Sequence, residues 1–348
     1  MHQGKQRPAG IVRPHLLALS FALFGLTACS LVSADQMSFV GPTIEGVRYI
    51  VVSDPDGENR QEILTAVPDL ESLLTWAPDG VHAVVSGADR EIYVADTREG
   101  RAGACLSCGV EGPIGGVAFS PDGSVIAFGA DDGLYLIDAD GSNRRQIASV
   151  PNAGWVTWSP DGDTLVFEGG INPWDLYRVD TEGTNLVQIT ESPPDKPVVY
   201  FKPQFSPNGD LFAVHMLRDG TRLMLMNSDG TDARKLTDWE IETEILDPAQ
   251  IPPPAWSPDG RSVAFLSSGV QGRPDVYAID ADGSGLRNLT NSPSNDNYPS
   301  WSPDGRLIAF VTNRDGNDEI YVINADGSDP RNISQSPTLD VCCPLWKP

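Results

Sequence analysis

The five cysteines are the residues of this chain best suited to covalent chemistry, and four of them form two close pairs. Cys105 and Cys108 make a Cys-x-x-Cys motif, whereas Cys342 and Cys343 are adjacent near the end of the sequence. Outside the cytoplasm an even number of cysteines favours disulfides over a zinc site. These four cysteines are therefore disulfide candidates. A local bridge between Cys105 and Cys108, a vicinal bridge between Cys342 and Cys343, and cross-pairs between the two places all remain open. A redox-active Cys-x-x-Cys would also need a helix N-terminus to lower the thiol pKa, and no such helix is predicted.

The histidines do not predict an active site. Beyond residue 28 there are two, His82 and His215, and each lies among apolar residues in a predicted strand, which favours a buried, hydrogen-bonded role. The Gly-x-Ser-x-Gly, His-Glu-x-x-His and phosphate-binding glycine-rich motifs do not occur in the sequence. We therefore predict a noncatalytic protein with no catalytic residue, no metal and no cofactor.

Short Asp-x-Asp-Gly segments recur along the chain and raise the question of calcium binding. A calcium site needs more oxygen ligands than one such turn supplies. Segments such as Asp280-Ala281-Asp282-Gly283 stand at regular places between predicted strands, which favours a role in hairpin geometry.

A five-residue sequence motif, which we call the phrase, recurs along the chain and shows which structural elements must position all these residues. Its spacing of 39 to 51 residues indicates a repeat architecture. The phrase is Trp-Ser-Pro-Asp-Gly in three copies, looser in three more and truncated in the last. These copies begin at Trp158, Trp256 and Trp301, at Trp76, Phe119 and Phe205, and at Trp346.

Each unit contains four predicted strands that are joined as antiparallel hairpins. The Pro-Asp-Gly turn reverses the chain after the first strand, because proline fixes φ and glycine supplies a positive φ. Proline also stands two residues before several of the aromatic residues, which makes the first strand an edge strand. A propeller blade places that edge at the central channel. The fold class is therefore all-β, a β-propeller.

The two ends of the chain predict how the ring closes. Residues 37–40, 47–52 and 59–64 fit strands two to four of a unit without a first strand, and Pro344-Leu345-Trp346 fits a first strand alone. Joining them completes a seventh blade and removes the open edges. We predict seven blades whose closing blade is shared by the two ends; a six-bladed ring is the alternative.

The repeated phrase, followed by an apolar strand and by segments such as Ile320-Tyr321-Val322-Ile323 before Asp-Gly, resembles the TolB-like propeller repeat, which is related in style to WD repeats. The resemblance covers nearly all of the chain beyond the leader. It implies an interaction module of the bacterial envelope. TolB itself has a separate α/β domain ahead of its propeller, and we expect the propeller module alone here. TolB binds a peptidoglycan-associated lipoprotein, but the loops cannot be matched residue by residue, so that partner is not predicted.

The first 28 residues are typical of a lipoprotein signal peptide. Lys5, Arg7 and Arg13 precede an apolar stretch from residue 16 to residue 26, which is too short for a membrane span. The following Leu-Thr-Ala-Cys resembles a lipobox, which would make Cys29 the site of lipid attachment. We expect residues 1–28 to be the signal peptide, 29–36 the lipidated cysteine and tether, and 37–348 the propeller. The protein would then be anchored in the cell envelope and face the periplasm or the exterior.

The chain is strongly acidic, with a formal net charge of −24. Such a surface repels nucleic acid, which excludes a DNA or RNA role, and it keeps a monomer soluble. Attraction of a basic partner is the alternative function of this charge.

Strand direction predicts where a partner binds. In an up-and-down blade the first and third connections lie on one face, and the second and the blade-to-blade connections lie on the other. The second face carries the variable loops, and binding residues are frequent on such loops. Our candidates for binding a protein or peptide are Trp174, Arg218, Trp239, Glu240, Glu242, Glu244, Arg273 and Arg314.

Each candidate group has an alternative role. Trp239 among its carboxylates could anchor a basic peptide or belong to a solvated acidic loop. The three arginines could surround an anionic ligand or pair with neighbouring aspartates. Trp155, Trp174 and Trp239 lie outside the repeated phrase, whose tryptophans we expect to pack between sheets. A carbohydrate-active or metal-dependent enzyme, or a small-ligand sensor, at the channel mouth is the alternative function.

Overall fold

A computed structural model of the chain describes residues 36–41, 49–63, 70–87, 89–99, 101–171, 174–193, 195–218, 220–237, 251–268, 273–336 and 341–348. The predicted signal peptide and Cys29 lie outside these ranges, and the predicted domain boundaries stay predictions. Among the described residues no helix has the length and apolarity needed to cross a membrane.

The two ends of the chain share one four-stranded sheet, the closing blade. Its strands are β1 (Met37–Val40), β2 (Ile50–Ser53), β3 (Gln61–Ile63) and β28 (Cys342–Trp346), in the order β28-β1-β2-β3. Met37 pairs with Trp346 in an antiparallel ladder. The predicted closure by both ends is therefore confirmed, and the six-bladed alternative is wrong.

The other six blades follow the chain in order, and each is an antiparallel four-stranded sheet. Their strands are, in blade 1, β4 (Leu70–Trp76), β5 (His82–Gly87), β6 (Ile92–Asp96) and β7 (Arg101–Cys105); in blade 2, β8 (Val117–Phe119), β9 (Val125–Ala130), β10 (Gly133–Asp138) and β11 (Arg145–Ala148); in blade 3, β12 (Val156–Trp158), β13 (Thr164–Gly169), β14 (Asp175–Asp180) and β15 (Val187–Gln188); in blade 4, β16 (Val199–Phe205), β17 (Leu211–Leu217), β18 (Thr221–Asn227) and β19 (Arg234–Lys235); in blade 5, β20 (Ala255–Trp256), β21 (Ser262–Ser268), β22 (Pro274–Asp280) and β23 (Arg287–Asn288); and in blade 6, β24 (Asp296–Trp301), β25 (Leu307–Thr312), β26 (Glu319–Asn324) and β27 (Arg331–Asn332).

The repeated tryptophans connect neighbouring blades, as the sequence predicts. In three of them the indole Nε1 donates to a main-chain carbonyl in the first strand of the preceding blade: from Trp158 to Ala118 at 3.1 Å, from Trp256 to Gln204 at 3.0 Å and from Trp346 to Ser300 at 2.9 Å. The core is likewise shared between blades, since Trp346 of the closing blade packs in one cluster with Val311 of blade 6. Burial of these apolar side chains between sheets stabilises the ring.

The Pro-Asp-Gly turns contact each other around one face, which we call the turn face. Gly123 has φ +74°, and a Cβ added to it would lie 3.2 Å from the ring of Pro78 in the preceding blade. The last contact of the series joins Gly80 to the Pro348 carbonyl oxygen, with a Cβ-to-oxygen separation of 3.4 Å. The same contact between glycine and the preceding proline recurs at Gly162 and Pro121, Gly209 and Pro160, Gly260 and Pro207, and Gly305 and Pro258.

The opposite face, which we call the loop face, carries the connections between strands two and three and between blades. Cys105 and Cys108 end the outermost strand of blade 1 on this face and are joined by a disulfide. Of the pairings left open by the sequence, the local one is therefore formed at this motif, and cross-pairs with Cys342 or Cys343 are not.

Candidate functional site

Two adjoining cavities open on the loop face beside blades 1 to 4. The larger, which we call the mouth cavity, has a volume of about 380 Å³. The smaller, of about 320 Å³, extends toward Ser86 and Arg90 of blade 1. The two share Pro113, Gly115 and Trp155. The mouth cavity is lined by Pro113, Gly115, Asp131, Asn152, Ala153, Gly154, Trp155, Glu168, Trp174, Phe201 and Lys202.

Glycines allow the first strands of blades 2 and 3 to approach closely at this end of the ring. A Cβ added to Gly115 would lie 2.6 Å from the Cα of Gly154, and a Cβ added to Gly116 would lie 2.6 Å from the Cα of Trp155. Real Cβ atoms do not tolerate such distances, so this backbone arrangement requires residues without a side chain. The missing side chains also leave space above the strands.

Trp155 and Lys202 occupy the same position in successive blades, three residues before Trp158 and Phe205. The ammonium group of Lys202 lies 5.6 Å from the centre of the Trp155 ring and donates to the Ile251 carbonyl at 2.5 Å. A cation over an indole face is stabilised by the ring quadrupole. Lys202 also has φ +55°, a left-handed conformation within a β-bulge of β16. The same conformation recurs at Tyr298 (φ +53°) and Cys343 (φ +62°), three residues before Trp301 and Trp346, so it belongs to the repeat.

Glu168 fixes this arrangement from below. Its carboxylate is buried and accepts the backbone N–H of Trp155 at 2.9 Å and that of Lys202 at 3.0 Å. One side chain thus joins the first strands of blades 3 and 4. Burial raises the pKa of Glu168 above its usual value, although the two backbone hydrogen bonds and Lys202 act in the opposite direction.

Behind Lys202, an aromatic pair forms the wall of blade 4. The buried Phe201 stacks on His215 with ring centres 5.3 Å apart. His215 is fully buried, and its Nε2 donates to the Pro252 carbonyl at 3.0 Å. Burial lowers the pKa of His215 to about 4, so the ring is neutral at pH 7. The predicted buried role is therefore confirmed for this histidine.

The rim of the mouth cavity offers hydrogen-bonding groups and an exposed aromatic surface. Trp174 is 37% exposed. Asp131 and Asn152 are exposed, and the Asn152 amide donates to the Gly170 carbonyl at 3.2 Å, which leaves its oxygen as an acceptor. The buried Nε1–H of Trp155 has no hydrogen-bond acceptor among the described residues. This combination suits a ligand with both an apolar face and polar groups.

The predicted partner-binding residues that the structure describes do not form one group. Trp174 lines the mouth cavity, and Arg273 is exposed before β22. Arg314 pairs with the buried Asp296 at 3.3 Å and lies 4.8 Å from the ring centre of Tyr321, which supports the alternative of pairing with aspartate. Arg218 is half-buried at the end of β17. Trp239, Glu240, Glu242 and Glu244 lie outside the described residues.

The two described histidines lie apart, His82 in blade 1 and His215 in blade 4. His82 was expected to be buried, but its side chain is 43% exposed, because it begins β5 and bonds Asp79 of the preceding turn at 2.5 Å. Glu91, Cys105 and Cys108 are close enough to hold an ion, but both sulfurs are in the disulfide.

The Asp-x-Asp-Gly turns use their carboxylates for local hydrogen bonds. Asp138 accepts the Asn143 amide at 2.7 Å, and Asp282 accepts the backbone N–H of Ser284 at 2.8 Å. These bonds support the predicted role in hairpin geometry.

A repeated pair of an acidic residue and a hydroxyl residue was not predicted from the sequence. In blade 3 the Thr190 hydroxyl donates to Asp175 at 2.9 Å and accepts the N–H of Leu176 at 2.8 Å. Glu91 with Ser107 and Glu319 with Ser334 repeat this contact in blades 1 and 6. In these three blades the pairs connect the outer strand to the third strand at the loop face. The sequence pattern that could have revealed these pairs is an acidic residue at the start of strand three, followed by a serine or threonine 15 or 16 residues later.

Two protein-family models match parts of the chain. A model described as "TolB beta propeller domain" matches residues 248–343, and one described as "WD domain, G-beta repeat" matches residues 103–137.

Curated relatives carry the name "Tol-Pal system protein TolB". The protein from Anaeromyxobacter dehalogenans (strain 2CP-C) is 35% identical over 119 residues, which are 30% of this chain and 25% of that protein. The protein from Francisella tularensis subsp. mediasiatica is 23% identical over 260 residues, 69% of this chain and 55% of its own. The matched segments thus span about a quarter to a half of the length of these relatives.

Solved structures share the fold. TolB from Acinetobacter baumannii has a TM-score of 0.54 at 19% identity, covering 90% of this chain and 67% of its own. Oligogalacturonate lyase in complex with manganese has a TM-score of 0.57 at 21% identity, and the match covers 85% of this chain and 84% of the lyase chain. A Mycobacterium tuberculosis puromycin-hydrolyzing peptidase has a TM-score of 0.66 at 14% identity, and the match covers 86% of this chain and 53% of the peptidase chain. At these identities the likeness shows the propeller fold alone.

Proposed function

We propose that this TolB-like β-propeller protein is a noncatalytic lipoprotein of the bacterial cell envelope whose loop face binds a protein or peptide partner. The observation that carries the proposal is the contrast between its two faces. The turn face is built from one repeated contact between glycine and proline, whereas the loop face carries the connections between blades and the exposed indole of Trp174. Irregular loops on a rigid scaffold are where binding residues concentrate.

Similarity to proteins named for the Tol-Pal system supports both a protein-interaction role and an envelope location. Lipidation at Cys29 would hold the propeller at a membrane surface, since several acyl chains together give stable anchoring. A noncatalytic role is supported by the dispersed histidines, because a general base must lie within hydrogen-bond reach of its substrate and His215 is fully buried.

Site-specific photo-crosslinking in intact cells tests the proposal. A photoreactive residue at position 174 reports on the loop face, and one at position 286, where Leu286 is 39% exposed beside a turn, reports on the turn face. We expect a discrete crosslinked protein from position 174 and none from position 286. Equal crosslinking from both positions, or none from either, would contradict binding through the loop face.

A further inference from the structure

We propose that the mouth cavity is a saccharide-binding site in which a pyranose ring stacks on Trp174 and its hydroxyl groups bond to Trp155, Asp131 and Asn152. This site goes beyond the proposed function, because binding of a partner by the loop face does not require it.

The placement of two tryptophans is the first argument. Among the described residues, Trp155 and Trp174 are the tryptophans that stand outside the repeated phrase, and they come from different connections of blade 3. The repeated tryptophans have a structural role between blades. These two instead line one cavity, and no packing rule of the repeat explains them. An exposed indole next to polar groups offers an apolar face to the C–H groups of a sugar ring.

Hydrogen bonding is the second argument. The Nε1–H of Trp155 is buried without an acceptor among the described residues, and an unmatched buried donor costs about 1–3 kcal/mol. Trp155 lines the cavity, and a small rotation of its ring would let a sugar hydroxyl supply the missing acceptor. Hydroxyl groups also donate, and the Asp131 carboxylate and the Asn152 amide oxygen are acceptors at the same rim. A pyranose presents C–H groups on the faces of its ring and hydroxyl groups around its edge. It therefore fits a site in which polar side chains lie beside an aromatic surface.

Size and charge distinguish a saccharide from a peptide. A volume of about 380 Å³ lies at the lower end of small-ligand pockets, which are about 300–1,000 Å³. A stable protein interface buries about 800 Å² per partner, far more surface than this cavity offers. Lys202 in this cavity and Arg90 in the adjoining one accompany Asp131 and Glu168, so the lining lacks the one-sided acidic charge that would select a basic peptide, although the chain as a whole is acidic.

Calorimetric titration of the full-length protein in detergent tests the site. The probes are the tetramers of glucose, N-acetylglucosamine and galacturonate, so that neutral and acidic sugars are both represented. We expect saturable binding of at least one tetramer. Trp174→Ala should weaken its affinity at least tenfold. Ile171→Ala is the matched control, since Ile171 is 77% exposed in the same connection and does not line the cavity, and its affinity should be unchanged.

A second variant separates the hydrogen bond from packing. Trp155→Phe keeps an aromatic ring below Lys202 and removes the N–H, so affinity should fall about fivefold while the melting temperature stays unchanged. Failure of all three tetramers to bind, or equal losses for Trp174→Ala and Ile171→Ala, would overturn the proposal. Binding of unstructured peptides that depends on Trp174, without binding of any tetramer, would overturn it in favour of a peptide site. Crosslinking of a partner from position 174 would be unaffected by any of these results.

Discussion

Ser38 and Trp76 are joined by a hydrogen bond in which the indole Nε1 donates to the serine hydroxyl at 2.6 Å. The same hydroxyl donates to the carbonyl of Leu345 at 3.0 Å, across a sequence separation of 307 residues. Ser38 is fully buried. One side chain therefore links blade 1 to both strands that the two chain ends contribute to the closing blade.

Replacing this hydroxyl should weaken the ring. Ser38→Ala leaves the buried indole N–H without an acceptor and removes a second bond, so we expect a loss of about 2–3 kcal/mol in the free energy of unfolding. Denaturant unfolding measures the loss. Ser124→Ala, in an exposed turn where the hydroxyl bonds Asp122, is the control and should cost less than about 1 kcal/mol. Equal losses in the two variants would contradict the linking role of Ser38.

Deletion of residues 344–348 should destabilise the whole propeller. The deletion removes most of β28, which pairs with β1 and contributes Trp346 to the core shared with blade 6. We expect the melting temperature to fall by at least about 10 °C, because loss of several kcal/mol shifts a domain of this size by that amount. An unchanged melting temperature would show that the closing blade does not need its inner strand.

Gly116→Ala should separate the first strands of blades 2 and 3. The added methyl group would lie 2.6 Å from the Cα of Trp155, where the backbone itself must shift. Overpacking of this kind costs about 1–3 kcal/mol. We expect that loss in the free energy of unfolding, and wild-type stability in the variant would contradict the close approach.

His215 should make stability depend on pH. Burial lowers the pKa of His215 to about 4 in the folded protein, whereas its ordinary value is 6.5. Between these values the unfolded chain binds a proton that the folded protein does not, so the stability due to this group is complete above pH 6.5 and is lost as the pH falls toward 4. At pH 4.5 the loss amounts to about 2.5 kcal/mol.

The variant His215→Phe isolates the effect of this histidine, because both proteins have the same carboxyl groups and only the imidazole differs. Unfolding free energies of both proteins at pH 7.5 and pH 4.5 give the comparison. The advantage of the wild type over the variant should shrink by about 2.5 kcal/mol at the lower pH. A difference that does not change with pH would mean that His215 titrates normally in the folded protein.

Cys29→Ala tests the membrane anchor of the proposed function. Without the thiol no lipid can be attached, so the variant should move from the membrane to the soluble fraction and lose metabolic labelling with a fatty acid. Cys343→Ala is the matched control and should remain with the membrane. Retention of the Cys29 variant in membranes would contradict the lipobox assignment.

The sequence by itself determined the seven blades, because the information for each blade is local. Proline, aspartate and glycine build the turn wherever the phrase occurs, and the apolar strands around it pair with their nearest neighbours in the chain. Even the closure was predictable, since β1 to β3 lacked a first strand and β28 lacked the other three. Sheet edges must be paired or covered, and only one partner was left for each end.

The mouth cavity was decided by the tertiary structure alone. It joins Asp131 of blade 2, Trp155 and Trp174 of blade 3, and Lys202 of blade 4. Trp155 and Lys202 share a repeat position, but nothing in the sequence indicates that these four side chains line one cavity. Contacts between blades depend on how far Gly115, Gly116 and Gly154 let two backbones approach, and that distance is a property of the closed ring. The exposure of His82 has a local cause instead: its strand was predicted, but the residue stands at the start of that strand and bonds Asp79 of the preceding turn. Local chemistry thus specifies the repeated unit, and the assembled ring specifies which side chains meet.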